Sequence, residues 1–377
     1  MRLIFAALLF LPAATFAAPP ATQPRDIDFT RSTVVTLHLN QATMKDACAA
    51  LAGQAAIPTQ IKPVTSVNAR TFLPITIDVD KQPYLVALAK LCVAGKATIN
   101  QFGHAYTFEI SPLAAHHDRN HNDDPVDFET SWLASPMSVH GPMAVLARDI
   151  KSTQFRQLDA PAGQSSVSLT VSLKLLVEPQ IRLTAISPFA EVTQAVDDAG
   201  QSLLPGYAWQ LQWVEFPAGT YFEFPAVLQS KLPMAHKITT FAGALHARLV
   251  KRIETATLTG IDQGARSFEV ADHDCKVTFS TQSPQDRRLS LTLMRGNHDP
   301  AEWATFQKAV APGSRFHLLD AQGKPIDVWG RDSQQGENQF KMTLIHGARS
   351  PAQVIWEIPT ASEDVAIPFE FRDLPLP

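Results

Sequence analysis

The 377-residue sequence has few cysteines and few charged residues. Three cysteines are too few for a disulfide-rich scaffold. Charged residues make up 18% of the chain, the formal net charge is −4, and no basic block is present, so nucleic acid is not an expected partner. No apolar run approaches the ~20 residues that a membrane span requires, so we expect no transmembrane segment in the mature chain.

The motifs of common enzyme classes are also missing. The sequence has no GxSxG element, Walker loop, HExxH pair or dinucleotide-binding fingerprint. His140 and His346 each stand alone, and Cys275 lies in a strand pattern typical of an inert core thiol. We therefore assign no catalytic, cofactor-binding or metal-ligating residue and expect no cofactor. The chain is interpreted as a binding protein, with a hydrolase of unrecognised site as one alternative.

The N-terminus has the pattern of a secretory signal peptide. Arg2 precedes the apolar run Leu3 to Leu11, and small residues follow up to Ala17 and Ala18. Cleavage after Ala17 makes residues 1–17 the predicted signal peptide. We therefore expect an exported protein, periplasmic or extracellular.

A repeat organises the next part of the chain. VTLHLNQATMKDACAALA, starting at Val35, recurs forty residues later as ITIDVDKQPYLVALAKLC. In each copy, alternating apolar residues predict a strand and i, i+3, i+4, i+7 spacing then predicts a helix. Thr43 with Asp46 and Pro83 mark the two helix starts. The predicted unit is β-α-β-β-α-β. Four apolar residues of each copy form the expected buried helix face: Met44, Ala47, Cys48 and Leu51, then Tyr84, Ala87, Leu88 and Leu91.

Residues 33–112 resemble the short N-terminal (STN-type) module of bacterial secretins and TonB-dependent receptors. The resemblance rests on this hydrophobic pattern and covers under a quarter of the chain. It implies a periplasmic interaction domain without catalytic residues. The chain departs from that family because it has no receptor plug, no secretin pore signature and no closing outer-membrane strand.

Cys48 and Cys92 lie on the two predicted helices. Export would permit a disulfide bond between them, whereas the repeat aligns both with apolar residues and favours two core thiols. The sequence leaves these alternatives open.

A polar segment, residues 113–131, predicts a linker. On a helix, His117 and His121 would share a face, as zinc ligands do. The segment lacks an apolar face to dock it, so a solvated linker is the preferred interpretation and a metal site is the alternative. The residues concerned are His116, His117, Asp118, His121, Asp123 and Asp124.

Beyond Trp132 the pattern is that of short β-strands. The alternation from Val167 to Leu175 is the clearest, and one helix is predicted at Pro300 to Gly313. The fold class expected is therefore α+β followed by all-β, with two antiparallel β-sandwich units. Asp198-Ala199-Gly200 and Asp320-Ala321-Gln322-Gly323 recur in similar contexts, as do Trp213 and Trp356. They suggest units at 132–246 and 247–377.

Two further groups of residues suggest ligands. Asp197, Asp198 and the acidic residues from Asp262 to Asp274 lack the spacing of a calcium loop, and hairpin turns need such residues anyway. Trp209 and Trp213 share a predicted strand face with Leu211. An exposed row would suit sugar stacking, but the intervening leucine favours a core strand.

The expected function is that of an exported, non-enzymatic envelope protein. Its N-terminal module is predicted to bind a protein partner, and its β units are predicted to serve as scaffold. The second alternative, besides the hydrolase, is a carbohydrate-binding envelope protein. The C-terminal run PFEF then DLPLP resembles uncharacterised secreted proteins of planctomycete-type bacteria, which implies no known activity.

Overall fold

The computed structural model describes residues 24–57, 59–61, 73–99, 108–112, 132–156, 165–206, 209–215, 221–231, 235–281, 287–347 and 349–377. The predicted signal peptide and the predicted linker with its His and Asp residues lie outside these ranges. The chain is mostly β-structure in several antiparallel sheets, which confirms the predicted β-rich character. Among the described residues, no helix is long and apolar enough to cross a membrane.

In the N-terminal module, the strand Val34–Ala42 pairs antiparallel with the strand Ile75–Pro83. The strand Phe108–Pro112 pairs in parallel with Thr59–Ile61 and antiparallel with Ala97–Ile99. The predicted strand and helix order is present in these residues. The elements up to this point are β1 (Arg25–Asp26), β2 (Val34–Ala42), α1 (Met44–Ala55), β3 (Thr59–Ile61), β4 (Ile75–Pro83), α2 (Tyr84–Ala94), β5 (Ala97–Ile99) and β6 (Phe108–Pro112).

The two helices of the module are placed by their apolar faces. All eight residues of the predicted helix faces are at most 3% exposed. The Thr43 hydroxyl accepts a hydrogen bond from the Asp46 N–H at 3.2 Å, which satisfies one free amide of the first turn of α1. Pro83 is the N-cap of α2, one residue before the predicted first-turn position.

The remaining elements are almost all strands. Two short 3-10 helices lie at Trp132–Ala134 and Ile261–Gln263. The other elements are β7 (Met137–His140), β8 (Met143–Arg156), β9 (Ser165–Val177), β10 (Leu183–Ile186), β11 (Glu191–Asp197), β12 (Val214–Glu215), β13 (Tyr221–Lys231), β14 (Lys237–Thr259), β15 (Arg266–Val270), β16 (His273–Thr281), β17 (Arg287–Met294), α3 (Pro300–Gly313), β18 (Arg315–Leu319), β19 (Pro325–Ile326), β20 (Val328–Gln335), β21 (Gln339–His346) and β22 (Gln353–Pro375).

Contacts divide the chain into two compact units. The larger comprises Asp26–Ile253, Ala301–Ser314 and Pro359–Pro377, and the smaller is built mainly from Glu254–Pro300 and Arg315–Ile358. β14 and β22 are 23 residues long each, and both contribute residues to both units. The sequence-based boundary near residue 246 stays a prediction, because the units are defined by contacts between segments distant in sequence.

The larger unit has a core between two layers of strands. One layer is the four-stranded sheet, in the order β13-β9-β8-β7. The other contains β10 and β11, which pair with β14, and the end of β22. The predicted alternation of β9 is confirmed, since Val167, Leu169, Val171, Leu173 and Leu175 all lie in this core.

The outer face of the four-stranded sheet is also apolar where β8 and β9 meet the N-terminal module. Ala144, Leu146 and Leu176 belong to the hydrophobic core of the module. Residues 143–147 and 173–177 are therefore buried on both faces, and they form continuous buried runs instead of alternating ones. One packed core thus joins the module to the sheet.

We call the contact between the module and the four-stranded sheet the junction. Polar contacts add to its apolar packing. The Thr33 hydroxyl donates to Glu178 Oε2 at 2.7 Å, and its amide donates to Oε1 at 3.3 Å. Gln180 Nε2 donates to the same carboxylate, and the Ser32 hydroxyl donates to the Gly141 carbonyl. Burial raises the pKa of Glu178, and the hydrogen bonds from Thr33 and Gln180 oppose that shift. The module is therefore fixed to the sheet by specific hydrogen bonds as well as by apolar packing.

One turn recurs in the two units with the same hydrogen bonds. Asp197 Oδ1 accepts from the amides two and four residues later, and Asp320 Oδ1 does the same. Gly200 and Gly323 occupy the left-handed position, with φ of 75° and 74°. Asp197 is therefore the structural equivalent of Asp320. The sequence repeat aligns Asp198 with Asp320, which is one residue out of register. The tryptophans of the predicted repeat are not equivalent: Trp356 is fully buried and Trp213 is half-buried.

Candidate binding groove

The three cysteines lie in the interior as free thiols. Burial raises the pKa of Cys48 and of Cys275 to about 12, and it raises the pKa of Cys92 as well. A thiol that stays protonated is a poor nucleophile and a poor metal ligand. Cys48 and Cys92 are thus two buried free thiols and do not form the alternative disulfide bond.

Two of the acidic turn residues, Asp197 and Asp198, accept hydrogen bonds from backbone amides. Asp197 accepts hydrogen bonds within its own turn, as described above, and Asp198 accepts from the His236 amide at 3.2 Å. Among the described residues, no group of three or more His, Cys, Asp or Glu side chains is arranged to hold a metal ion. The hydrogen bonds of Asp197 and Asp198 thus give these two carboxylates a structural role.

The smaller unit contains a pair of neighbouring histidines that no sequence motif marks. The rings of His273 and His298 are 4.2 Å apart between centroids, and His298 Nε2 lies 2.9 Å from the Asp272 carbonyl oxygen. Burial lowers the pKa of His273, and the neighbouring His298 lowers it further. The two residues are 25 positions apart, and the antiparallel pairing of β16 with β17, which sets Cys275 opposite Leu293, brings them together.

The tryptophan segment does not form the predicted core strand. Within residues 209–215 only β12 is a strand, Trp209 and Trp213 are half-buried, and Leu211 is 46% exposed. The core interpretation was therefore wrong. The alternation of Trp209, Leu211 and Trp213 does not identify a core strand, because this segment packs on the outer side of β14 and not between the two layers.

Two side chains of β14 hold the tryptophans in place. His246 and Arg248 point away from the core that Leu245, Ala247 and Leu249 enter, as the period-2 geometry of a strand requires. The Trp209 ring stacks on His246 with centroids 4.8 Å apart, and the Arg248 guanidinium lies 4.8 Å from the Trp213 ring centroid.

Carboxylates in turn orient these two side chains. His246 Nε2 lies 2.7 Å from Glu191 Oε2. Arg248 donates through Nε and Nη2 to the two carboxylate oxygens of Asp364, at 2.6 and 3.0 Å. A two-point contact of this kind fixes the guanidinium plane. The position of each indole is thus specified by residues distant in sequence.

Trp209 is one wall of a groove of about 400 Å³ in the larger unit. Phe189 and Leu204 also line it, and they are 47% and 38% exposed. Such a volume suits a small ligand or a short segment of chain. The lining residues carry no charge: Phe189, Ala190, Val192, Leu204, Pro205, Trp209, Gln210, Gln212, Pro225 and Val227.

Two of the lining residues, Pro225 and Val227, belong to the edge strand β13. This strand is the first in the order of the four-stranded sheet, so one of its sides pairs with β9 and the other is an edge. Pro225 fits such an edge because proline has no N–H to donate to a ladder. That proline is the signal in the sequence that locates the edge.

Comparisons with protein-family models, with curated proteins and with solved structures found no match. The resemblance of residues 33–112 to the short N-terminal module therefore stays a prediction.

Proposed function

We propose that this chain is an exported cell-envelope protein that binds another protein without catalysing a reaction. In this proposal residues 33–112 are a module of the STN type, and the remainder forms two β-sandwich units. The continuous core at the junction supports one modification of the sequence-based expectation. The module and the four-stranded sheet act as one body, and the surface that meets the partner belongs to both or to the sheet.

The observation that carries the proposal is the uncharged groove beside β13. Phe189 and Leu204 are large apolar side chains that fold into no core, yet they stand together with Trp209 around one concavity. Exposed apolar side chains gathered around a concavity mark binding surfaces more often than scattered ones do. The stacked His246 ring holds the Trp209 wall in place before any partner arrives.

A photo-crosslinking amino acid at Phe189 tests the proposal in the native envelope. Met294 in the smaller unit, 41% exposed, gives a matched control position of similar exposure. We expect the probe at Phe189 to crosslink one defined envelope protein that the probe at Met294 does not. Purified, that protein should bind the full chain and fail to bind the Leu204→Asp variant. Equal crosslinking from both positions, or binding that survives Leu204→Asp, would contradict the proposal.

Carbohydrate binding is the second candidate because two aromatic rings line the same groove. Phe189 and Trp209 offer stacking faces, and the exposed amides of Gln210 and Gln212 can hydrogen-bond to hydroxyl groups. Titration of the full chain with soluble chitin and cellulose oligomers tests it. Saturable binding that Trp209→Ala abolishes would favour this candidate over protein binding.

A further inference from the structure

Every second residue of β13 directs its backbone polar groups to the outer edge of the sheet, away from β9. The Gln229 amide donates to the Leu203 carbonyl at 2.8 Å, and the Pro225 carbonyl accepts from the Ala190 amide at 3.5 Å. Both partners lie outside β9, so positions 225 and 229 face away from that strand. Val227 has the same parity, and its N–H and C=O therefore face the same edge.

Val227 differs from its two neighbours on this edge. The chain itself occupies the edge at Pro225 and at Gln229, whereas the backbone N–H and C=O of Val227 make no hydrogen bond to the described residues. Val227 also lines the groove between the walls that Phe189 and Leu204 form. Within the described ranges, a donor and an acceptor of one strand residue thus stand unpaired at an apolar, uncharged concavity.

We propose that Val227 pairs with one residue of a short, extended and uncharged peptide segment, whose apolar side chains enter the groove. This inference rests on the proposed function and names the partner chemistry for the same site. Edge strands take up extended peptides through backbone hydrogen bonds, and side-chain pockets supply selectivity. The chain's own bonds at positions 225 and 229 limit the ladder to a single residue pair, which fixes the ligand as a short segment.

Uncharged peptides are expected because the groove offers no ion-pair partner among its lining residues. A lysine or aspartate that entered the groove would lose hydration without gaining an opposite charge, which is unfavourable. A valine or isoleucine in extended conformation fits the apolar walls and the backbone pairing together.

The test uses the full chain and the blocked tripeptide N-acetyl-Ala-Val-Ala-amide, titrated by NMR. Val227→Pro removes the N–H at position 227 without removing a bond to β9, and Val227→Ala keeps that N–H as the matched control. We expect Val227→Pro to weaken binding about threefold to tenfold relative to Val227→Ala, the loss typical of one hydrogen bond. Equal affinities of the two variants would overturn the inference.

A second measurement leaves the protein unchanged and so does not depend on the folding of a variant. In the ester analogue of the peptide, an oxygen replaces the N–H of its central valine. We expect this analogue to bind about threefold to tenfold more weakly, because the Val227 carbonyl then loses its donor. An analogue that binds as tightly as the amide peptide would contradict strand pairing.

The outcomes separate this inference from the proposed function. If the crosslinked partner requires Leu204 and is indifferent to Val227→Pro, protein binding stands and strand pairing fails. If neither substitution affects the partner, both fail. If the tripeptide does not bind and chitin or cellulose oligomers do, the groove is a carbohydrate site and the peptide inference is overturned.

Discussion

Apolar residues border the four-stranded sheet at two places, and the chain buries only one of these two groups. Leu146 and Leu176 on its outer face are fully buried in the core shared with the N-terminal module. At the β13 edge, Phe189 and Leu204 keep 47% and 38% of their surface exposed. Apolar surface that the chain buries stabilises the fold, and apolar surface left open is available to a partner.

The two places also differ in their polar groups. At the junction, the buried Glu178 carboxylate accepts hydrogen bonds from Thr33 and Gln180. At the groove, the backbone of Val227 makes no hydrogen bond to the part of the chain that the structure describes. Satisfied polar groups indicate a permanent contact, whereas an open donor and acceptor beside apolar walls indicate a contact that forms on binding.

The largest expected effect on stability is at the apolar junction. Leu146→Ala leaves a cavity between the module and β8, so we expect it to lower the free energy of unfolding of the larger unit by about 2–5 kcal/mol. Leu204→Ala is the matched control at the groove and should change it by less than about 0.5 kcal/mol. Urea denaturation measures both values. Similar losses would remove the distinction between the two places.

A second substitution tests how closely the chain approaches the turn before β8. Gly141 has φ of 55°, and an added Cβ would lie 2.7 Å from the Phe29 carbonyl oxygen. Gly141→Ala should therefore destabilise the larger unit by about 2–4 kcal/mol, through backbone strain and this clash together.

Gly200→Ala provides the control for the strain alone. Gly200 also has a positive φ of 75°, but an added Cβ would meet no atom within 4 Å. We expect a loss of about 1 kcal/mol there, measured by the same urea denaturation. If the two alanine variants are equally stable, Phe29 does not pack against the turn as described.

The ionisation of Glu178 predicts a smaller, pH-dependent effect. Burial raises its pKa above the ordinary value of 4.5, so the native state keeps the proton to higher pH than the unfolded chain does. Its contribution to stability is complete below about pH 4.5 and is lost as the pH rises through the folded pKa.

Glu178→Gln should abolish this contribution while retaining an acceptor for Thr33. Between pH 4 and pH 7, the unmodified chain is expected to lose stability relative to the variant, as unfolding midpoints would show. Glu337→Gln, which makes the same substitution at an exposed position, is the control. A constant difference between Glu178→Gln and the unmodified chain would contradict the assignment.

The smallest expected effect on stability is at the groove wall. Phe189→Ser removes an exposed ring and should change the free energy of unfolding by less than about 0.5 kcal/mol. Binding of the blocked tripeptide should nevertheless weaken, because an apolar wall is lost. A large loss of stability with unchanged binding would show that Phe189 stabilises the fold and is not part of a binding groove.

The module was predictable because its signals are local. The i, i+3, i+4, i+7 pattern placed every residue of both helix faces correctly, and Thr43 capped α1 as expected. The run from Met143 to Lys151 fits both a helix and a strand period, with a strand as the preferred interpretation. Burial on both faces of β8 explains that ambiguity, because it removes the alternation that identifies a strand.

The groove was not predictable in the same way because tertiary contacts build it. Trp209 and Trp213 alternate with Leu211 as strand residues do, yet His246 and Arg248 hold them outside the core. Nothing near Trp209 in the sequence signals a partner 37 positions away. Pro225 does mark β13 as an edge, but it does not show that Val227 stays unpaired beside apolar walls.

Residue-resolved amide hydrogen exchange of the full chain tests most directly whether the junction is closed and the β13 edge is open. We expect the Val227 amide to exchange without protection, while the Leu228 amide, which faces β9, and the Thr33 amide, which donates across the junction to Glu178 Oε1 at 3.3 Å, are both protected. A Val227 amide as protected as that of Leu228, or a Thr33 amide that exchanges freely, would contradict the account.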